Sequence, residues 1–394
     1  MRAALPALAL LVCPACPERG APPPPVLKRV ESPAVAVKIP PPRDCPIAGA
    51  AETLVEQPGS AGSFAADWEL DEGGFAVAWQ AGTDVVFAWT EAGVVRSARA
   101  ASGLRSDRMQ GWAGGWAALP SVARHASGAA AAWFDGERIR LAHLRAGRVQ
   151  PGGTVEVYGR AVLRRHGGGL GLVWSSGPPM VVLTQRIDPM ALRPAGGAVT
   201  LDGVTAFAAA RGGATIELLA MRKAECPGEE CIRPVLVPFD GAALGAPEPI
   251  GTPIGTPWNE PAIVPPVRSG TRLAALVPGE SGTRIAVREN GRTRVLPAPT
   301  GLLGGARLAA IAASDRGVAI GGPPQRLGGR VGAVVLQPWK GLPACVHRVA
   351  EAEGNLVDLA LAPRGVHVDV YWLAESPASG EAKVALRRAR IAWP

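Results

Sequence analysis

Lysine is nearly absent from this chain: it stands only at Lys28, Lys38, Lys223, Lys340 and Lys383, and the rest of the 41 basic residues are arginine. The arginines are scattered and no run of five or six forms, so a net charge of +8 and an isoelectric point near 9.6 do not describe a nucleic-acid-binding arm. The charge serves solubility, or contact with acidic glycans or lipid head groups. Tyrosine is scarce as well, with 2 residues against 11 tryptophans. Helical periodicity is missing, which excludes the leucine-rich and ankyrin arrays. The apolar stretch 3–12 is too short to cross a bilayer as a helix. Local signatures of chemistry are missing too. There is no Walker loop and no G-x-S-x-G phrase, and the five histidines, His125, His143, His166, His347 and His367, show no metal-ligand spacing. The adjacent acids Asp71 and Glu72, and Glu229 and Glu230, fall in turn-like sequence where carboxylates are solvated. No cofactor and no metal are expected. Catalysis is left only to groups gathered from distant segments.

What the chain has in abundance is glycine (50) and proline (39), within an apolar fraction of 47% that is ample for a core. Residues 1–16 read as an export signal: Met1-Arg2, the apolar stretch, then Cys13 and Cys16. A cysteine at the end of such a stretch resembles the cleavage site of bacterial lipoproteins, where it becomes the lipid-bearing first residue. Leu10-Leu11-Val12 before Cys13 gives the expected leucine three back, and Cys13-Pro14-Ala15 before Cys16 gives the small residue beside the cut. Three starts therefore stand side by side: lipid attachment at Cys13 or Cys16, secretion after an alanine-type cleavage, and an uncleaved cytosolic start. The expected place is the periplasm or outer membrane as a lipoprotein, or outside the cell. Residues 17–44, with their proline runs, favour extended polyproline geometry and read as a semi-rigid tether. Residues 45–394 form the folded body. Its four cysteines suit an oxidising compartment. Cys226 and Cys231 enclose only Pro-Gly-Glu-Glu and can staple one loop, which leaves Cys45 to pair with Cys345. Zinc is the rival for this spacing and lacks a second matching pair.

One phrase recurs in the body, a glycine turn followed by an apolar run that ends in tryptophan. It appears as Gly73-Gly-Phe-Ala-Val-Ala-Trp79, Gly128-Ala-Ala-Ala-Ala-Trp133, Gly169-Leu-Gly-Leu-Val-Trp174 and, lengthened, Gly365 to Trp372. A strand-like segment precedes each phrase and two follow it, which gives four strands per unit. Units then fall near 63–104, 117–157, 160–201, 203–250, 258–299, 305–350 and 355–393. That spacing belongs to an all-β propeller of seven blades, with six or eight as alternatives. The phrase resembles β-propellers of exported bacterial proteins in general. It carries none of the boxes of WD, sialidase-like or kelch repeats. The last unit has only three good strands, and residues 52–56 supply the fourth, so that first and last parts of the chain close the ring.

Candidate site residues follow from this frame. Trp79, Trp133, Trp174 and Trp372 occupy one repeat position and are expected to pack between blades. Trp112, Trp116 and Trp258 break the repeat in inter-blade connections; they are either contacts for a sugar or protein partner or lids over blade cores. On the same face, residues 222–231 form a long acidic loop with Glu225, Glu229 and Glu230. On the opposite face, first-to-second-strand turns place Arg124, His125, Arg165, His166, Arg211, Arg268, Arg316 and Arg364 at matching positions. These form a collar for an anion at the channel mouth, or simply solvated turns. Three functions are open: a non-enzymatic binding or scaffold protein for an envelope protein or glycan, a hydrolase or lyase acting on an extracellular polymer, and a polyanion binder at the channel mouth. Membrane contact is expected through a lipid anchor only.

Overall fold

In a computed structural model, the described residues are 43–394 apart from 61–65, 72, 105–118, 126–127, 158–160, 177–180, 212, 227–228, 256–263, 280–281, 326–328, 340–342, 352–353 and 377–381. They build seven sheets, one for each unit read from the repeat, antiparallel except for one short parallel strand at the rim of blade six. Blade one runs outward from Asp67–Asp71 through Gly74–Ala81 and Asp84–Glu91 to Val94–Ala101. Blades two to six follow the same course, beginning at Ser121–His125, Ala161–His166, Val204–Arg211, Val267–Ser269 and Ala310–Ala313. Among the described residues no helix is long and apolar enough to cross a membrane.

The repeated glycine has a steric cause. Gly74 and Gly128 open the second strands of blades one and two at φ +144° and +137°, where L side chains are strained. A Cβ on Gly128 would stand 2.3 Å from the Leu144 carbonyl oxygen, and one on Gly74 would stand 2.6 Å from the Thr90 side chain. The apolar run after the glycine is continuous because second strands are covered on both sides. All seven residues of Gly128–Phe134 are buried, whereas the outer strand Arg292–Pro297 is mostly exposed. Burial therefore fades from the middle of each blade to the rim.

Packing closes the ring. Seven apolar clusters fill the seven junctions: blades one and two, two and three, three and four, four and five, five and six, six and seven, and seven back to one. The recurrent tryptophans sit in these junctions, with Trp79, Trp133, Trp174 and Trp372 between 2% and 6% exposed. Two of them also tie neighbours by hydrogen bonds. The Trp133 indole donates to the Ser102 carbonyl just beyond blade one at 3.2 Å, and that of Trp372 donates to Glu351 just beyond blade six.

The chain's beginning completes its end. Ile47–Pro58 pairs antiparallel with Lys383–Ala392 and supplies the outer strand of blade seven, whose other strands are Asn355–Arg364 and His367–Ser376. Arg43–Asp44 pairs parallel with Cys345–Ala350 on the rim of blade six. Cys45 is bonded to Cys345 across 300 residues, and Cys226 to Cys231 across 5. Both bonds suit an oxidising compartment. The signal-like segment and the tether up to residue 42 lie outside the described residues.

Candidate functional site

First strands face the hub and present an unpaired edge to the next blade, so their amides need partners from outside the sheet. Side chains supply them. The Asp67 carboxylate on blade one accepts the Val122 N–H of blade two at 2.9 Å and the Ser121 hydroxyl at 2.6 Å. Glu69 accepts the Arg124 N–H at 2.6 Å, and the Ser121 hydroxyl accepts the Leu163 N–H of blade three at 2.9 Å. Arg164 of blade three then grips Asp67 with both terminal nitrogens, at 2.6 and 2.7 Å, and donates from Nε to the Ala209 carbonyl of blade four at 2.8 Å. One buried ion pair thus spans four blades. Burial alone would raise the Asp67 carboxyl, but the charge and hydrogen bonds of Arg164, with Ser121 and Val122, hold it below the usual carboxylate range.

Asp358 performs the same office between blades seven and one. Its Oδ2 accepts the Ala66 N–H at 2.8 Å and the Trp68 indole N–H at 3.2 Å. Burial pushes this carboxyl above its ordinary value, because the Leu359 and Ala66 amides, the Trp68 indole and the charge of Arg307 do not make up for lost water. A polymer-cleaving propeller needs a perturbed carboxylate in an accessible pocket, and Asp358 is only 3% exposed.

The turns between first and second strands hold the collar residues, and their surroundings differ. Arg124 pairs with Asp71, Arg268 with Glu217 at 2.8 Å, and Arg364 with Asp369 at 3.6 Å. His166 is buried, with its ring filling the space left by Gly169 and Gly241, where a Cβ would stand 2.9 and 2.3 Å away. Burial lowers the pKa of His166, and burial together with Arg145 and His143 lowers that of His125, so both rings are neutral at physiological pH. Arg165 is half-buried, Arg316 is exposed, and the side chain of Arg211 lies outside the description.

The same face carries a cavity of about 400 Å³ over blades five to seven, lined by Arg272, Arg294, Asp315, Arg316, Pro338, Trp339, Trp393 and Pro394. The Ser314 carbonyl fixes two of these residues, accepting the Trp339 indole N–H at 2.8 Å and the Arg272 Nη1 at 3.0 Å. Arg272 lies over the Trp339 ring at 6.0 Å, and its Nε donates to Glu289 at 2.9 Å. Arg316 has no ion-pair partner among the described residues, and Arg294 is largely exposed with Glu289 at 3.9 Å. Trp393 closes one wall, wedged between blades six and seven beside Gly317, where a Cβ would come within 2.8 Å of its ring.

On the opposite face the hairpin of Ile216–Cys226 and Glu229–Phe239 extends beyond its blade and is stapled near its tip by Cys226–Cys231. Ile254–Gly255 pairs along its outer edge at Cys231 and Ile232. Glu230 lies 3.9 Å from Lys223, Glu225 pairs in register with Glu230, and the Glu229 side chain is outside the description. Trp112, Trp116 and Trp258 fall outside the described residues.

Sequence reasoning named Arg316 and missed Asp67, Arg164, Asp358, Arg272, Arg294, Trp339 and Trp393. A signal existed for Arg164 and Asp358, since a charge inside an apolar first strand demands a buried partner. None existed for the cavity, whose walls come from strands and turns of three different blades. Among the described residues no group of three or more His, Cys, Asp or Glu is arranged to hold a metal ion.

No protein-family model matches the chain, and no curated protein sequence matches it. Among solved structures it is similar to the polysaccharide lyase Uly1, at 8% identity and a TM-score of 0.49 over 82% of this chain and 89% of that one. The WD40 domain of Toxoplasma gondii coronin is similar at 10% identity and a TM-score of 0.47, over 90% and 89%. A subtype N10 neuraminidase-like protein of A/little yellow-shouldered bat/Guatemala/060/2010 gives 5% identity and a TM-score of 0.42, over 69% and 94%. The seven-bladed propeller rests on the chain's own strand pairing and its seven junction cores.

Proposed function

We propose that this chain is an exported, non-enzymatic binding protein whose rigid seven-bladed ring presents a site for a glycan or protein partner. The observation that carries the reading is a division of labour between charges. At the hub, Asp67, Glu69 and Asp358 all accept hydrogen bonds from the neighbouring blade and so hold the ring together. At the cavity, Arg294 and Arg316 stand exposed beside a fixed Arg272–Trp339 plate, which is how a binding surface is arranged. Export accords with the two disulfides, and attachment by a lipid on Cys13 or Cys16 accords with the leader and its proline-rich tether.

The purified protein is expected to be retained on immobilised envelope polysaccharide or envelope protein, to lose retention when Arg294 and Arg316 are both replaced by glutamine, and to release no new chain ends from the polymer. Cleavage of the polymer would replace this reading with the hydrolase or lyase one. Anchoring is checked separately by intact mass and membrane fractionation of the full chain beside Cys13→Ala and Cys16→Ala variants. A lipid-sized increment is expected to vanish in one of the two, and an unmodified soluble product from the unaltered chain refutes the anchor.

A further inference from the structure

We infer that the cavity over blades five to seven takes a carboxylate-bearing sugar ring, so that the ligand is an acidic glycan built of uronic-acid units. The inference deepens the binding role proposed above and rests on it. Three kinds of group meet in this cavity, and each asks something different of a ligand. Arg316 and Arg294 offer cationic donors that ask for an anionic acceptor. Trp339 offers a flat apolar plate that asks for the C–H face of a ring. Asp315, exposed in the same lining, offers only acceptor oxygens and asks for hydroxyl donors. A uronate answers all three at once: one carboxylate, a ring face, and several hydroxyls.

The remaining contacts explain why this arrangement is a built site. Ser314 O accepts both Trp339 Nε1 and Arg272 Nη1, at 2.8 and 3.0 Å, and Glu289 holds Arg272 Nε at 2.9 Å, so the plate and its backing guanidinium form one rigid block. Arg272 is a positioning residue, since Glu289 already balances its charge and it braces the indole. Arg294 and Arg316 are then the lining groups whose guanidinium donors are available to one carboxylate per ring, beside Asp315. A second carboxylate on the same ring would meet Asp315, which disfavours compact dianions. Trp393 adds a second indole to the wall, and its buried N–H has no acceptor among the described residues. The volume of about 400 Å³ lies within the range of about 300–1,000 Å³ usual for small-ligand sites. An acidic peptide would satisfy the arginines, but its side chains offer neither a ring for Trp339 nor hydroxyls for Asp315.

Isothermal titration of the folded protein with tetragalacturonate, maltotetraose and tetraglutamate tests the inference, with Arg316→Gln and Trp339→Phe variants checked by thermal melting. Tetragalacturonate is expected to bind saturably and at least about tenfold more tightly than maltotetraose, because a hydrogen bond between guanidinium and carboxylate is stronger than one to a neutral hydroxyl. Arg316→Gln is expected to remove about tenfold of that affinity and most of its salt dependence. Because Arg316 is exposed, this variant keeps the fold. Equal binding of acidic and neutral sugars, weakened for both by Trp339→Phe, overturns the uronate inference and leaves the glycan-binding role intact. Tighter binding of tetraglutamate overturns it in favour of a protein partner. No binding of any of the three overturns the inference and counts against a ligand site in this cavity.

Discussion

Asp67 and Asp358 are two buried aspartates with one structural task and opposite electrostatic fates. Each sits on a first strand and reaches across the hub to accept a backbone N–H from the next blade, Val122 for Asp67 and Ala66 for Asp358. Arg164 sets them apart. It holds Asp67 in a two-pronged grip, whereas Asp358 has only the Trp68 indole, two amides and the more distant Arg307 charge. The first carboxyl is accordingly held below its usual range and the second pushed above it. A hydrogen-bonding task alone therefore does not fix the charge state of a hub aspartate. The counter-ion does.

The comparison breaks most sharply if Arg164 is removed. Arg164→Met keeps a long apolar stem but leaves Asp67 buried without its partner, and the expected loss of stability is about 3–5 kcal/mol. Denaturant unfolding near neutral pH measures it. The double variant Arg164→Met/Asp67→Asn is expected to recover a large part of the loss, because no uncompensated charge remains. If the single and double variants are equally unstable, Arg164 acts through packing and the contrast between the two aspartates loses its electrostatic basis. The pH response should also invert. In the unaltered protein Asp67 has a depressed folded pKa, so its contribution is present above the ordinary carboxylate value and is lost as pH falls through the folded one. Without Arg164 the same carboxyl joins Asp358 on the other side, and acidification relieves it.

This contrast also marks where sequence stops speaking. The blades were legible because every copy of the phrase buries its tryptophan against the preceding blade. Gly74 and Gly128 are forced by positive φ and by a third strand too close for a Cβ, and Trp79 and Trp372 each fill the junction with the preceding blade. Closure was legible because residues 52–56 form a strand without a neighbour in the sequence, and cysteine parity left Cys45 only Cys345 to join. The hub was not legible. Asp67 and Arg164 lie 97 residues apart in different units, and nothing in either unit names the other. The cavity stayed hidden for a related reason. Arg272, Arg316, Trp339 and Trp393 occupy turns and strand ends where the repeat imposes no residue type, so they become a set only when three blades stand side by side. Of the collar positions read from the turns, Arg124, Arg268 and Arg364 hold carboxylates of their own. Equivalent turn positions share a place in the blade and not a chemistry.

The smallest expected effect is the most diagnostic, and it comes from Asp358→Asn. Asparagine keeps a carbonyl oxygen for the Ala66 N–H and cannot ionise, so the change removes the titration while retaining the bond between blades. Because the folded pKa of Asp358 is raised, the folded protein holds this proton more tightly than the unfolded chain does. Over the window from the ordinary carboxylate value, about 3.9, up to the raised folded value, stability therefore falls as pH rises, with a limiting slope of about 1.4 kcal/mol per pH unit. Replacement by asparagine abolishes that slope, so the variant gains on the unaltered protein as pH increases through the window. The histidines work in the opposite direction. Burial depresses His125, His166 and His347, so their contribution is full above about pH 6.5 and is lost as pH falls. They are the same in both proteins and cancel in the difference. Denaturant unfolding at a series of pH values then reads Asp358 alone. A difference that rises with pH sustains the opposition between the two aspartates, and a flat one means that Asp358 is ionised in both states and is compensated at the hub as fully as Asp67.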